Sequence, residues 1–137
     1  MSRENVEIVR AVYERWSEGD LRASVDVFDP KVLLVVPSGF GPDSPEGGTY
    51  VGTEAIAAYT REVLLETWAD LTMEADEIEA AGECVLASVR VRGVGRTSGV
   101  PTEMHYFQLW SFRGRKVIRF ESFRERAEAL EAAGLRE

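Results

Sequence analysis

One short stretch near the end of the chain, MHYFQLWSF at residues 104–112, carries the side chains best suited to chemistry. It holds the only histidine, His105, and the only glutamine, Gln108. An imidazole can accept a proton near neutral pH, so His105 is a candidate general base. Gln108 can orient a water or bind a carbonyl, but it cannot take up a proton. In a strand these two side chains point to opposite faces, so at most one of them faces an internal site.

The hairpin that joins this stretch to KVIRFESF (residues 116–123) decides which of the two faces inward. A three-residue loop over 113–115 turns Gln108 inward, whereas a two-residue loop at Gly114-Arg115 turns His105 inward. Glycine in the first position of a two-residue turn favours the second arrangement. The first pairs Trp110 with Ile118, Gln108 with Phe120, and Tyr106 with Ser122. The second groups His105, Phe107, Leu109 and Ser111 with Ile118, Phe120 and Ser122.

Hydrophobic periodicity predicts the elements that must position these side chains. Apolar residues at three- and four-residue steps predict an amphipathic helix over about residues 3–18, a short second helix around 21–28, and a third helix capped by Thr53. KVLLVV at 31–36 predicts a short buried strand, and the proline- and glycine-rich residues 37–52 predict an irregular loop. Alternating patterns then predict antiparallel strands over 70–82, 83–96, 101–113 and 116–123, followed by a helix that Gly134 ends.

Helices placed before a twisted antiparallel sheet are typical of the α+β class. Such a sheet can curl around the long helices and leave a pocket between them. Tyr13, Trp16 and Tyr59 lie on helices that would face this pocket, and each could line it or simply pack in the core. One histidine and one cysteine cannot supply a transition-metal ligand set, so we expect no metal site.

Composition and charge restrict the partners. The 137 residues carry a formal net charge of -8 and a single cysteine, Cys84. Nucleic acid and anionic membrane surfaces need clustered Lys and Arg, so neither is an expected partner. No apolar stretch approaches the ~20 residues of a bilayer span, and the N-terminus is unlike a signal peptide. With its single cysteine the chain fits a reducing compartment, and we expect a cytoplasmic protein.

Several motifs in order along the chain resemble one superfamily. They are VYERWSEGDL at 12–21, YVGTEAIAAY at 50–59, GVGRTSGVPTEM at 93–104, and LWSFRGRKVIRF at 109–120 followed by RAEALEAAG. The chain thus resembles the SnoaL-like polyketide-cyclase and ketosteroid-isomerase-like branch of the nuclear-transport-factor-two-like superfamily. The resemblance implies one domain over residues 1–137. It also implies a cone-shaped, curved antiparallel sheet, mixed at the first strand, wrapped around three helices with a short C-terminal helix.

The resemblance also implies a site inside the cone that works without metal or cofactor, through a carboxylate or histidine base. Val36 occupies the position of the proton-abstracting aspartate of ketosteroid isomerases, and Ser122 the position of an acid near the end of the last strand. The family's hairpin favours Gln108 inward, which would leave His105 on the outer face in a structural or dimer-interface role. The ligand-binding candidates are Tyr13, Trp16, Tyr59, Tyr106, Gln108, Trp110, Phe120 and Ser122. His105 remains the candidate base in the other register.

Two functions from different classes follow from these residues. The first is a cofactor-free isomerase, cyclase or lyase that acts on a small apolar, oxygenated molecule by general acid/base catalysis. The second is a non-catalytic protein that binds such a molecule in the same pocket, and the absence of carboxylates at Val36 and Ser122 favours it. A third function is a structural dimerisation module with a vestigial cavity. Aromatic residues on the convex face of the sheet would predict a homodimer.

Overall fold

The computed structural model describes residues 2–22, 25–36 and 47–135. In this part of the chain the helices are α1 (Ser2–Ser17), α2 (Thr53–Tyr59), α3 (Leu65–Thr67) and α4 (Arg126–Ala132), with a π-helical turn (Thr60–Leu64) joining α2 to α3. The strands are β1 (Phe28–Val36), β2 (Gly48–Val51), β3 (Trp68–Ala81), β4 (Cys84–Gly95), β5 (Pro101–Arg113) and β6 (Lys116–Phe123). None of the described helices is long and apolar enough to cross a membrane.

All the described strands belong to one sheet in the order β2-β1-β6-β5-β4-β3. Every neighbouring pair is antiparallel except β1 and β6, which run parallel. The predicted α+β class and the curved sheet that is mixed at its first strand are therefore confirmed. The order places β5 and β6, which carry most of the candidate site residues, near the middle of the sheet.

Two apolar clusters lie on opposite faces of the sheet. On the inner face, α1 contributes Val9, Val12, Tyr13 and Trp16, all at helical spacing and all buried. On the outer face, α4 packs Leu130 against strand residues such as Leu109. The helix α4 ends as predicted at Gly134, whose φ of +82° suits glycine, and the Leu135 amide donates back to the Leu130 carbonyl at 2.8 Å.

Three local predictions are wrong. Thr53 does not cap α2 but is its first residue, Gly52 is the N-cap residue, and no side chain makes a capping hydrogen bond. In place of a helix around residues 21–28 there is a 3-10 turn (Val25–Val27), and β1 already begins at Phe28. Pro30 is tolerated inside β1 because the pairing with β6 shifts between Phe28 and Leu33, where no ladder donor is needed. The predicted loop over 37–52 ends in the short strand β2, and its residues 37–46 lie outside the described residues.

The hairpin between β5 and β6 follows neither predicted register. Its turn is the two-residue one, because Arg113 pairs with Lys116 across Gly114-Arg115. A β-bulge then shifts the register between Ser111 and Phe112, so that Trp110 pairs with Phe120 and Gln108 with Ser122. The extra residue on β6 reverses the faces, and Gln108 points inward although the turn alone would send His105 there. The prediction that Gln108 faces inward is correct. Each of these β5 residues, however, pairs with a β6 residue two positions later in the sequence than predicted.

Candidate functional site

A cavity of about 280 Å³ opens between the helices and the inner face of the sheet. Most of its wall comes from apolar side chains, with Leu34 and Val36 on β1, Val91 on β4 and Phe120 on β6 among them. The remaining described lining residues are Trp16, Leu21, Arg22, Val25, Phe28, Ile56, Ala57, Tyr59, Thr60, Arg61, Val63, Leu64, Thr67, Trp68, Leu71, Met73, Met104, Tyr106, Gln108 and Ser122. An apolar hollow with a few polar groups is the usual form of a small-molecule site.

The polar lining groups are mostly neutral. Gln108 and Ser122 are buried at 3% and 6% relative exposure, while Arg22 and Arg61 are exposed at the surface. Among the described lining residues none is Asp, Glu or His. Partial burial raises the pKa of Tyr106, so its hydroxyl is neutral near pH 7. A ligand in this cavity therefore meets neutral hydrogen-bonding groups at the buried part of the described wall, while the charged groups of Arg22 and Arg61 lie at its exposed part.

A continuous chain of hydrogen bonds supports Gln108 from behind the wall. The Trp110 indole Nε1 donates to the Tyr13 hydroxyl at 3.0 Å, and that hydroxyl donates to Gln108 Oε1 at 2.5 Å. Gln108 Nε2 in turn donates to Ser122 Oγ at 3.3 Å. Burial raises the pKa of Tyr13, so the hydroxyl keeps its proton. Four residues from α1, β5 and β6 thus form one relay that ends at the cavity.

Trp110 lies at the centre of the aromatic packing that fixes this relay. Its ring centroid is 4.5 Å from that of Phe120 and 5.6 Å from that of Tyr13, and it stacks on Phe28 at 5.9 Å. Trp16 also lies 5.7 Å away. Such contacts stabilise aromatic pairs beyond the burial of their area. The relay is therefore set in a tightly packed wall and has little freedom to rearrange.

The structure brings most of the predicted ligand-binding residues together. Trp16, Tyr59, Tyr106, Gln108, Phe120 and Ser122 all line the cavity. Tyr13 and Trp110 do not line it and lie behind the wall, where they hold Gln108 in place. Tyr13 and Trp110 have the same spacing from their neighbours as the aromatic residues that line the cavity. The sequence alone therefore could not tell residues that line the cavity from residues that lie behind its wall.

His105 faces away from the cavity. Its side chain is 59% exposed on the outer face of β5, and its Nε2 lies 3.3 Å from Glu103 Oε2. Arg92 donates to the same carboxylate at 2.7 Å, and that hydrogen bond lowers the pKa of Glu103. A base at this position cannot reach a molecule bound in the cavity. The register in which His105 serves as an internal base is therefore not the one adopted.

Some lining residues were missed by the sequence analysis. Met104 precedes Tyr106 and Gln108 by even steps on β5, and its inward direction follows once the face of Gln108 is known. Val91 pairs with Met104 across β4 and β5 and lies on the same face. The π-helical turn (Thr60–Leu64) also lines the cavity, and π turns are frequent at functional sites. Of these features, only the π-helical turn could not have been predicted from the pattern of residues.

Replacing Tyr13 by phenylalanine is expected to lower the free energy of unfolding by about 2–3 kcal/mol. The change leaves the Trp110 N–H and Gln108 Oε1 buried without their shared partner. Urea denaturation followed by circular dichroism measures the loss. The control is Tyr50→Phe, since Tyr50 is half-buried and its hydroxyl has no hydrogen bond within the described residues. That substitution should change stability by less than about 0.5 kcal/mol. Equal losses in both variants would contradict a structural role for the relay.

Comparison with known proteins agrees with the fold described above. The family described as the SnoaL-like domain matches residues 9–120, which is most of the chain. The chain belongs to the SnoaL-like domain family. A search of curated proteins finds no match for this SnoaL-like protein.

Solved structures similar to this SnoaL-like protein share its fold. An NTF2-like protein from Burkholderia thailandensis is 26% identical with a TM-score of 0.76, over 92% of this chain and 96% of that one. An NTF2-like protein of unknown function from Burkholderia pseudomallei is 25% identical with a TM-score of 0.75, over 93% and 95%. A protein with a ketosteroid isomerase-like fold from Catenulispora acidiphila is 19% identical with a TM-score of 0.71, over 94% and 93%. The resemblance found in the sequence is confirmed.

Proposed function

We propose that this SnoaL-like protein binds a small, apolar, oxygen-bearing molecule in the cavity and does not convert it chemically. The observation that carries the proposal is the identity of the buried residue that the relay of Trp110 and Tyr13 holds at the cavity, Gln108. An amide at that position can hold a ligand oxygen but cannot take a proton from it. General acid/base catalysis needs a base within hydrogen-bond reach of the reacting atom, and no Asp, Glu or His among the described lining residues provides one.

The size and chemistry of the cavity support a small ligand. Its volume of about 280 Å³ is just below the range of about 300–1,000 Å³ typical of ligand sites, as expected for a small molecule. Apolar side chains such as Leu34, Val91 and Phe120 provide most of the contact area, so burial of apolar surface would supply most of the affinity. Gln108 and Ser122 would fix the orientation of the ligand at the inner end of the cavity.

Filling the cavity is expected to weaken ligand binding. Val91 is 5% exposed and lines the cavity, so Val91→Phe puts a ring where the ligand would lie. The wild-type protein should be stabilised by bicyclic aromatic ketones or terpenoids in a thermal-shift panel. A ligand at about 100 times its Kd adds about 2.7 kcal/mol to the stability of the folded state. We expect Val91→Phe to lose at least about tenfold in affinity by isothermal titration calorimetry.

The matched control is Val100→Phe, because Val100 is 54% exposed and does not line the cavity. This variant should bind like the wild type. Equal binding by all three proteins would show that the ligand lies elsewhere and would overturn the proposal. Chromatography of the panel after incubation with the protein tests the non-catalytic part. A product formed by the wild type, and not by Val91→Phe, would favour the isomerase, cyclase or lyase instead.

The homodimer remains a prediction. The convex face carries ion pairs in its described middle part: Arg90 Nη2 donates to Asp76 Oδ1 at 2.6 Å, and Arg92 pairs with Glu103. Phe107, an aromatic residue of the same face, packs into the cluster under α4. Phe107 is therefore partly buried by contacts within the chain. Sedimentation at micromolar concentration measures the oligomeric state.

The predicted cytoplasmic location likewise remains a prediction.

A further inference from the structure

The direction of the hydrogen bonds in the relay is fixed by Trp110, which lies at the end away from the cavity. The Trp110 indole N–H can only donate, so the Tyr13 oxygen must act as its acceptor. The hydroxyl hydrogen of Tyr13 is then available to Gln108, and the atom that receives it must be the amide oxygen. The amide nitrogen consequently faces Ser122. The orientation of an amide group is assigned from such networks, and here a donor-only group decides it.

At the end of the relay that lines the cavity, Gln108 and Ser122 present hydrogen-bond donors. Gln108 Nε2 has two hydrogens, and one of them goes to Ser122 Oγ. Because Ser122 Oγ accepts that hydrogen, its own hydroxyl hydrogen remains to be donated. Neither this hydrogen nor the second amide hydrogen has an acceptor among the described residues, and both side chains line the cavity. The Trp16 Nε1, on another lining residue, is also buried without a partner in the described part of the chain.

We propose that Trp110, from behind the wall, sets the polarity of the site, so that the cavity selects a ligand with an acceptor oxygen over one with a donor group. The inference rests on the proposed function and names the chemical class of its ligand: an apolar ring compound with a carbonyl, quinone or ester oxygen. Such an oxygen completes the hydrogen bonds of Gln108 and Ser122. A ligand N–H at the same place could use only the second lone pair of Ser122 Oγ, and it would leave the second amide hydrogen of Gln108 and the Ser122 hydroxyl hydrogen without an acceptor.

Trp110 is a positioning residue in this scheme, since it does not line the cavity. Without its N–H, the Tyr13 hydroxyl could accept from Gln108 instead of donating to it. The amide could then turn its oxygen toward Ser122 and present an acceptor to the ligand. The selectivity for ligand acceptors should therefore depend on a residue that the ligand does not touch.

Three bicyclic probes of similar size test the proposal: 1-indanone, which only accepts, indole, which only donates through its N–H, and indane, which does neither. Their dissociation constants are measured by titration calorimetry on the wild-type protein. We expect 1-indanone to bind about tenfold more tightly than indole, which corresponds to about 1.4 kcal/mol. Indane reports the apolar contribution of the cavity alone.

Three variants carry the comparison. In Gln108→Glu the new carboxyl group has at most one hydrogen where the amide has two, so the preference for 1-indanone over indole should fall by about tenfold. In Ser122→Ala, a small change that should preserve the fold, the preference should fall by about threefold. In Trp110→Phe the two probes should bind within about twofold of each other. A general loosening of the wall would weaken both probes equally and leave their ratio unchanged.

The outcomes separate this inference from the proposed function. If none of the three probes binds the wild type, the binding cavity itself is refuted, and this inference with it. If indane and 1-indanone bind but the ratio of 1-indanone to indole is the same in the wild type and all three variants, the polarity is refuted while the binding function stands. A ratio that falls in all three variants, with indane binding retained in Ser122→Ala, supports the proposal.

Discussion

Replacing Trp110 by alanine is expected to lower the free energy of unfolding by about 3–5 kcal/mol. Trp110 has 0% relative exposure and contacts the rings of Phe28, Tyr13 and Phe120. The substitution removes the largest fully buried side chain of the described core and leaves a hole among rigid rings that cannot close around it. It also takes away the N–H donor of the Tyr13 hydroxyl. Urea denaturation at 25 °C, with far-ultraviolet circular dichroism as the signal, measures the loss.

The matched control is the same substitution at Trp68. That side chain is half-buried where β3 begins and lines the cavity, so its removal enlarges a space that is already present. We expect Trp68→Ala to cost at least about 1 kcal/mol less than Trp110→Ala. An equal or greater cost at Trp68 would mean that the aromatic cluster around Trp110 is not the main element of the inner core. The loss of about 3–5 kcal/mol expected at Trp110 is a large part of the roughly 5–15 kcal/mol by which native domains are usually stable.

The strands of this protein were predictable because their signal is local. Alternating residues such as Val85, Ala87 and Val89 are buried on one face, while Arg90 and Arg92 point to the other. This alternation predicted β3 to β6 to within a few residues. The prediction of a short second helix used the same kind of local signal and was wrong. The apolar residues at 21, 25 and 28 match a helical period but do not form a helix. In the structure they belong to a turn at the cavity and to the start of β1.

The site was harder to predict because a single residue decides its chemistry. The glycine at the turn correctly indicated a two-residue loop, which by itself sends His105 inward. The bulge on β6 adds one residue and sends Gln108 inward instead. Nothing in the local pattern of KVIRFESF marks that bulge, and the correct face came from the resemblance to a family. The relay through Tyr13 joins residues 95 positions apart, and sequence spacing says nothing about such a contact.

Placing an aspartate at Val36 is expected to make the stability of the protein strongly dependent on pH. Val36 is 5% exposed and lines the cavity at the end of β1, among apolar side chains. Burial disfavours the charged form, so the pKa of the new carboxyl group should rise by about 2–4 units above its usual value of about 3.9. Each unit corresponds to about 1.4 kcal/mol, so the ionised form should cost about 3–6 kcal/mol.

The direction in which stability changes with pH follows from the binding of the proton. The folded state would hold its proton more tightly than the unfolded state, so stability falls as the pH rises from about 4 through the raised pKa. Val36→Asn is the control, because it is the same size and polar but does not titrate. The two variants should be about equally stable below about pH 4, and Val36→Asp should be the weaker by several kcal/mol at pH 8. A difference that does not vary with pH would mean that the carboxylate is well solvated, and hence that this end of the cavity is wet rather than apolar.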